Sequence, residues 1–243
     1  LKSYPQSYGI DHSAENYARK KELFTGIERL HIVTPSQWMA DLVKKSFLKE
    51  YPITVIHNGI DTSVFKPTES DFRKQHGSDN KKILLGVASP WTPRKGLQDF
   101  IKLAPMLPEN WKIVLVGLSK HQLAHLPSDM LGLERTNNTK ELAQIYTAAD
   151  VFFNPTYEDN YPPTNLEAIA CGTPVITYDT GGSPESAGGR NGTVIDQGDI
   201  SDVRSKLESI NEWKSSFVLG SKENDKSQNF AQYYMLYQQL LDR

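Results

Sequence analysis

The stretch that decides the fold is Ile83-Leu84-Leu85-Gly86-Val87-Ala88, an unbroken apolar run followed at once by the polar segment 89–96. Five more apolar runs follow, separated by stretches with helical spacing, at 113–116, 131–133, 151–153, 175–177 and 193–195. Continuous apolar runs, rather than alternating ones, indicate strands that are covered on both faces. Because these strands alternate with helices, we predict a doubly wound parallel α/β sheet over residues 81–222.

The remaining sequence has a different pattern. Before residue 81 there are only two short apolar runs, 31–34 and 53–56, with helices predicted over 13–27 and after Pro35. In the second of these helices Trp38, Leu42, Val43 and Phe47 share one face. The Asn-, Gly-, Pro- and Ser-rich residues 58–80 are typical of a linker. We predict that 223–243 form a C-terminal helix that packs back on residues 1–57.

Composition excludes several classes of protein. The 243 residues include 27 basic and 29 acidic side chains, which argues against a strongly electropositive nucleic-acid binder. The single Cys171 excludes an internal disulfide and a multi-cysteine metal site, and it fits a reducing, cytoplasmic compartment. The apolar runs are far shorter than the roughly 20 residues of a membrane span.

Basic residues follow the first predicted strand of the sheet. In open α/β sheets ligands bind at the carboxyl ends of the strands, and Arg94 and Lys95 lie at that position, just before a helix. Two adjacent cations can balance a diphosphate, although a solvated basic turn would have the same sequence. The motifs G-x-G-x-x-G and G-x-x-x-x-G-K-[ST] are missing from these loops, which argues against dinucleotide oxidoreductases and P-loop NTPases.

Acidic residues follow the fourth run of the sheet. Glu158 and Asp159 lie in the loop, Thr164 and Asn165 begin the next helix, and Glu167 is close behind them. Free N–H groups at a helix start suit phosphate or sugar oxygens, and carboxylates suit hydroxyl groups. A polyhydroxylated, phosphorylated ligand satisfies both. The alternative is that Glu167 is only a favourable charge near the positive end of a helix and Glu158 an exposed loop residue.

Glycines mark two more strand ends. Gly181 and Gly182 follow the fifth run, and Gly117 follows the second. Adjacent glycines permit positive φ and close approach of the backbone to a ligand, although an ordinary turn uses the same residues.

The segment from Glu158 to Ile176, followed by Gly181-Gly182-Ser183-Pro184-Glu185 and Asn191-Gly192-Thr193, resembles retaining glycosyltransferases of family 4. Residues 34–38, 55–65 and 95–96 are further landmarks, so the resemblance covers about 31–200. Within the family the sequence is most similar to enzymes of colanic-acid and other capsular or exopolysaccharide pathways. The resemblance implies the two-domain GT-B architecture. It therefore implies that 81–222 form a complete nucleotide-sugar-binding Rossmann domain and that 1–57 are a remnant of the acceptor-side Rossmann domain of a longer chain.

The resemblance also implies an activity, in which a sugar moves from a nucleotide diphosphate to an acceptor hydroxyl with retention at the anomeric carbon. It implies a glycan or lipid-linked acceptor, no cofactor or metal ion, no nucleic-acid partner, and room for peripheral membrane association through the missing domain. It places Glu158, Lys95 and Arg94 at the reacting centre. The donor-binding residues it implies are Glu167 at the ribose hydroxyls, Asn165, Thr164, Asp159, Gly181, Gly182, and Gly117 and Thr136 near the base.

Two departures from the family pattern leave assignments open. The acidic pair of the family has seven intervening residues, whereas Glu158 and Glu167 have eight. Either Glu158 is the first acid, which we favour from its Tyr-Glu lead-in, or Asp159 has taken its place. The family commonly has an Arg five residues before the Lys. Pro90 stands there in this chain, which leaves Arg94 as the candidate guanidinium.

Rival functions remain from the sequence alone. A GT-B sugar-nucleotide epimerase would bind the same donor without an acceptor, and a non-catalytic module would only bind it. A flavodoxin-like or receiver domain lacks the segment from Glu158 to Glu167. We expect the 243-residue chain to bind a sugar nucleotide and to turn over poorly alone.

Overall fold

The protein contains two parallel sheets. The computed structural model describes residues 11–187, 192–214 and 224–242. The strands are β1 (Ile32–Thr34), β2 (Ile53–Val55), β3 (Lys82–Val87), β4 (Trp111–Val116), β5 (Leu131–Leu133), β6 (Val151–Asn154), β7 (Val175–Tyr178) and β8 (Gly192–Ile195). The first two pair with each other, and the other six form one sheet in the order β5-β4-β3-β6-β7-β8. All pairs are parallel, so the predicted doubly wound α/β fold is confirmed.

Helices connect these strands. They are α1 (Ser13–Phe24), α2 (Gln37–Lys44), α3 (Phe72–Gln75), α4 (Leu97–Leu103), α5 (Lys120–Ala124), α6 (Thr139–Ala148), α7 (Pro163–Ala170), α8 (Ser183–Ala187), α9 (Ile200–Glu208), α10 (Ile210–Lys214) and α11 (Lys226–Leu241). In the described ranges, no helix combines the length and the apolar character that a membrane crossing requires.

The core of the large sheet has two layers, because successive side chains of a strand point to opposite faces. On one face the strands contribute Ile83, Leu85, Val116, Phe152 and Val175, which pack with α6 and α7. On the other face they contribute Leu84, Leu115, Val151, Phe153 and Ile176, which pack with α4 and α9. Nearly all of these side chains are fully buried. Burial on both faces explains why the strands are continuous apolar runs in the sequence.

Helix α2 packs against both strands of the small sheet. Ser36 caps this helix, since its Oγ accepts a hydrogen bond from the Met39 N–H at 3.1 Å. The helix ends at Lys44, so Phe47 lies outside it. The shared face predicted for this helix is not a packed one, because Trp38 and Leu42 remain exposed. This leaves the Trp38 indole free to line a surface.

Residues 58–80 and α11 contact each other. Ile60, Phe65 and Phe72 are buried in the core, although this segment has the composition of a linker. Lys226 at the start of α11 forms an ion pair with Asp61, with 2.6 Å between Nζ and Oδ2. The C-terminal helix therefore lies against the segment that joins the small sheet to the large one. The division of the chain into the four predicted segments stays a prediction.

Candidate active site

The site lies where the direction of the sheet reverses. From β3 the chain winds outward through β4 to β5, then crosses back to β6 on the other side of β3 and winds outward through β7 to β8. The loops that follow β3 and β6 therefore part in opposite directions and leave a crevice at the carboxyl edge. This is the place where open α/β sheets bind ligands. Residues 88–96 and 155–162 form its walls.

The two loops are tied together through their backbones. The Tyr157 N–H donates a hydrogen bond to the Arg94 carbonyl oxygen at 2.7 Å. Gly96 has a φ of 74°, and a Cβ there would lie 2.2 Å from the Pro155 carbonyl oxygen. Only glycine permits that left-handed turn and that close approach together. The cations of the first loop are thus held opposite the acids of the second.

Two ion pairs join these loops. Arg94 Nη1 lies 3.1 Å from Glu158 Oε2, and Lys95 Nζ lies 2.6 Å from Asp159 Oδ2. The Glu158 side chain is 58% exposed, whereas that of Asp159 is 18% exposed. Exposed ion pairs add little stability, so the Arg94 pair is easily exchanged for another partner. The Lys95 pair is more enclosed and less screened by salt.

A cleft of about 490 Å³ contains both ion pairs. This volume is within the range of small-ligand sites. Its walls are formed by Trp38, Arg94, Lys95, Glu158, Asp159, Asn160, Thr180 and Gly181. The structure therefore brings together four of the predicted charged residues and one predicted glycine. Trp38 comes from α2, so the helix between β1 and β2 also lines the cleft. Sequence reasoning missed Trp38 as a cleft residue, because its spacing is that of any apolar helix position.

Gly181 and Gly182 pack closely against the backbone of the acidic loop. Gly181 has a φ of 56°, and a Cβ there would lie 1.9 Å from the Asp159 carbonyl oxygen. The neighbouring Gly182 donates its N–H to that same oxygen at 3.0 Å. A Cβ on Gly182 would lie 1.8 Å from the Asn160 carbonyl oxygen. The sequence predicts that these glycines allow a ligand to come close to the backbone. In the structure, the loop that carries Glu158 and Asp159 comes close to them.

A buried carboxylate holds the same loop from beneath. Asp99 is 2% exposed and accepts hydrogen bonds from the hydroxyl groups of Tyr157 at 2.7 Å and Tyr178 at 3.0 Å. Burial, together with this bond to Asp99, raises the pKa of Tyr157 to about 12, so the hydroxyl remains a donor at neutral pH. Tyr157 directly precedes Glu158. The network therefore fixes the position of the acidic residues in the cleft.

Glu185 joins α8 to α2. Its two carboxylate oxygens accept the backbone N–H groups of Gln37 and Trp38, both at 2.8 Å. These amides belong to the helix start, where N–H groups lack partners within the helix and favour negative charge. Sequence reasoning quoted Glu185 in its motif but gave it no role. The contact spans almost 150 residues, so no local signal pointed to it.

Glu167 lies on α7, away from the lining of the cleft. It is half-buried and accepts a hydrogen bond from the Tyr146 hydroxyl at 3.0 Å. Burial raises the pKa of Glu167 to about 7, although the bond from Tyr146 opposes the shift. Burial and the charge of Glu167 raise the pKa of Tyr146 well above its usual value. Glu167 thus changes charge close to neutral pH.

The remaining predicted donor residues lie at the same edge of the sheet. Thr164 is half-buried in the first turn of α7, and Gly117 and Thr136 follow β4 and β5. Asn165 is fully buried, and its side-chain amide bonds to those of Asn154 and the hydroxyl of Ser186, both at 2.9 Å. The structure therefore places the Asn165 side chain in the framework behind the cleft rather than in its wall.

The sequence matches a known protein family and several of its members. The family described as "Glycosyl transferases group 1" matches residues 68–229, which is more than half of the chain. The chain belongs to this family. It is 28% identical over 172 residues to a D-inositol 3-phosphate glycosyltransferase of Mycobacterium sp. (strain JLS), covering 65% of the chain and 39% of that protein. It is 30% identical over 172 residues to an alpha-galactosylglucosyldiacylglycerol synthase of Streptococcus pneumoniae, covering 64% and 45%. The chain thus spans less than half of these relatives.

Solved structures share the fold of this chain. Sucrose-phosphate synthase from Thermosynechococcus elongatus superposes with a TM-score of 0.79 at 20% identity, covering 99% of the chain and 65% of that protein. The Anabaena protein HepE in complex with UDP-glucose superposes with a TM-score of 0.71 at 20% identity, covering 95% and 67%. The predicted GT-B type of α/β fold is therefore confirmed.

No metal centre is formed in the part of the chain that the structure describes. Within those ranges, no three His, Cys, Asp or Glu side chains gather in a way that could hold a metal ion. The metal-independent reaction expected from the sequence stays a prediction.

The raised pKa of Glu167 predicts how stability changes with pH. Its pKa is about 7 in the folded chain and near 4.5 when exposed, so the folded state binds the proton more tightly. The favourable contribution is complete below pH 4.5 and is lost as the pH rises to 7, by up to about 3 kcal/mol. Urea unfolding of wild type and Glu167→Gln at pH 5, 6, 7 and 8 measures it. We expect the free energy of unfolding of the variant to decline less between pH 5 and pH 8 than that of wild type. The same decline in both proteins would contradict the prediction.

Proposed function

We propose that this chain binds the donor in a retaining transfer of a sugar from a nucleotide diphosphate to an acceptor hydroxyl. The observation that carries the proposal is the meeting of Arg94 and Lys95 with Glu158 and Asp159 in one cleft at the reversal of the sheet. Two cations and two carboxylates in a ligand-sized cleft suit a ligand with both phosphates and hydroxyl groups. Membership of the glycosyl transferase family supports the same reading.

Each charged side chain of the candidate site has a role in the proposed sugar transfer. When the bond between sugar and phosphate breaks, negative charge grows on the departing diphosphate, and Lys95 and Arg94 stabilise it from fixed positions. Glu158 is released from Arg94 in this step and accepts hydrogen bonds from sugar hydroxyls. The proton of the acceptor hydroxyl passes to the departing phosphate, so the chain needs no strong base. We assign Glu167, which lies on α7 outside the lining of this cleft, to the ribose hydroxyls of a donor that extends beyond the ion pairs.

The wider setting is also a proposal. We assign a glycan or lipid-linked acceptor, a cytoplasmic location with peripheral membrane association, and a role in cell-surface polysaccharide synthesis. The polysaccharide role rests on the sequence resemblance over residues 31–200. A lipid-linked acceptor has a parallel in the diacylglycerol-based name of the streptococcal relative.

Donor binding can be tested directly. Isothermal titration of the 243-residue chain with UDP, GDP, UDP-glucose and GDP-mannose is expected to give binding to one nucleotide series. Lack of binding to all four would contradict the proposal.

Retention has a separate test. Slow hydrolysis of UDP-glucose, followed by proton NMR in its first minutes, is expected to release α-glucose before β-glucose. Appearance of the β-anomer first would contradict retention.

A further inference from the structure

We propose that Asp159 competes with the donor diphosphate for Lys95, so that this carboxylate limits the affinity of the cleft for nucleotide diphosphates. The inference rests on the proposed function and deepens it, because it assigns a role to one of two adjacent acids. Glu158 and Asp159 have been alternatives for a single role. The structure gives them different partners, Arg94 for Glu158 and Lys95 for Asp159.

The pair of Asp159 and Lys95 is the tighter of the two. Its atoms are 2.6 Å apart, against 3.1 Å for the outer pair, and the Asp159 side chain is far less exposed than that of Glu158. Short contacts between ionised groups are the stronger hydrogen bonds. A phosphate that approaches Lys95 therefore has to replace a good partner rather than water.

The backbone of Asp159 is held in place. Its carbonyl oxygen accepts the Gly182 N–H at 3.0 Å and packs against the Cα of Gly181. Tyr157, two residues earlier, is fixed through Asp99. The Asp159 carboxylate can turn away from Lys95 by side-chain rotation, but the loop keeps its negative charge in the cleft. The bound diphosphate is then close to a like charge, which lowers its affinity.

The charge balance of the cleft points the same way. Arg94 and Lys95 supply two positive charges, and Glu158 and Asp159 supply two negative ones, so these four residues sum to zero. A cleft that served only to attract a diphosphate would keep an excess of cations. Replacing Asp159 by asparagine leaves one net positive charge and preserves the size of the side chain.

The test compares wild type with Asp159→Asn in titrations with UDP, GDP and uridine at pH 8. We expect the Kd of the preferred diphosphate to fall roughly 5- to 20-fold in the variant, as for one charge-assisted bond. Uridine has no phosphate, so its Kd should not change. In 1 M NaCl the gain should shrink, because salt screens the charge. The matched control is Asp129→Asn, which changes an exposed acid just before β5, at the opposite edge of the sheet.

The outcomes distinguish failure of the competition between Asp159 and the diphosphate from failure of the proposed donor binding. A lower Kd for the diphosphate with unchanged uridine binding supports the competition. An unchanged or higher Kd for the diphosphate overturns it, and so does an equal change for uridine, which would show a general effect on the cleft. If neither wild type nor Asp159→Asn binds UDP or GDP, the proposed function falls and this inference falls with it.

Discussion

Lys95→Ala is expected to weaken binding of the nucleotide diphosphate by about 10- to 100-fold, the loss of one charge-assisted contact to phosphate. Lys95 is the better enclosed cation of the cleft, and its ammonium group lies opposite the acidic loop. The substitution also leaves Asp159 without its cation, so the cleft becomes more negative. Isothermal titration measures the effect. Lys206→Ala is the matched control, since this lysine lies on α9 beside Asp202.

Combining Lys95→Ala with Asp159→Asn shows whether the two residues affect diphosphate affinity through their ion pair. If Asp159 acts through Lys95, most of the gain from Asp159→Asn should disappear in the Lys95→Ala background, and the two effects will not add. Additive effects would mean that Asp159 repels the diphosphate without competing for the lysine. Unchanged affinity in Lys95→Ala alone would contradict the placement of the diphosphate in this cleft.

Gly181→Ala is expected to destabilise the fold by about 2 to 5 kcal/mol, combining backbone strain with overpacking. The added Cβ would lie 1.9 Å from the Asp159 carbonyl oxygen, and a φ of 56° disfavours alanine. Part of the strain is relieved if the acidic loop moves, which would also misplace Glu158 and Asp159. We therefore expect weaker donor binding as well as a lower midpoint of urea unfolding.

Gly77→Ala separates the two causes. Gly77 has a similar φ of 59°, but a Cβ there has no atom within 4 Å. It should show only the strain, about 1 kcal/mol after the reduced freedom of the unfolded chain is included. Equal destabilisation by the two substitutions would show that the contact with the acidic loop is unimportant.

The fold class could be predicted from the sequence because parallel strands that are covered on both faces are continuous apolar runs. The run from Ile83 to Ala88 and its five successors all became strands, since each must fill two apolar layers. Ends of elements were less predictable. The first helix stops at Phe24 rather than 27, whereas α11 (Lys226–Leu241) lies within the predicted range 223–243 but leaves most of its apolar side chains exposed.

The order of the strands predicts which loops meet at the candidate site, but it does not predict which side chains pair there. Carboxyl ends of neighbouring parallel strands share an edge, so cations after β3 and acids after β6 had to be close. Which acid meets which cation depends on loop geometry, set here by Asp99 and by Gly96 and Gly181. Trp38 and Glu185 were missed because they meet the site through contacts between distant parts of the chain, which leave no periodic pattern.

The bond from Glu185 to the first amides of α2 couples the width of the cleft to the orientation of the small sheet. The Trp38 N–H donates a hydrogen bond to Glu185, and Trp38 also lines the cleft that contains the ion pairs. A rotation of the small sheet must either carry α8 with it or break both hydrogen bonds at once. Glu185 therefore opposes a change in the distance between α8 and the backbone of Trp38, and with it a change in the width of the cleft.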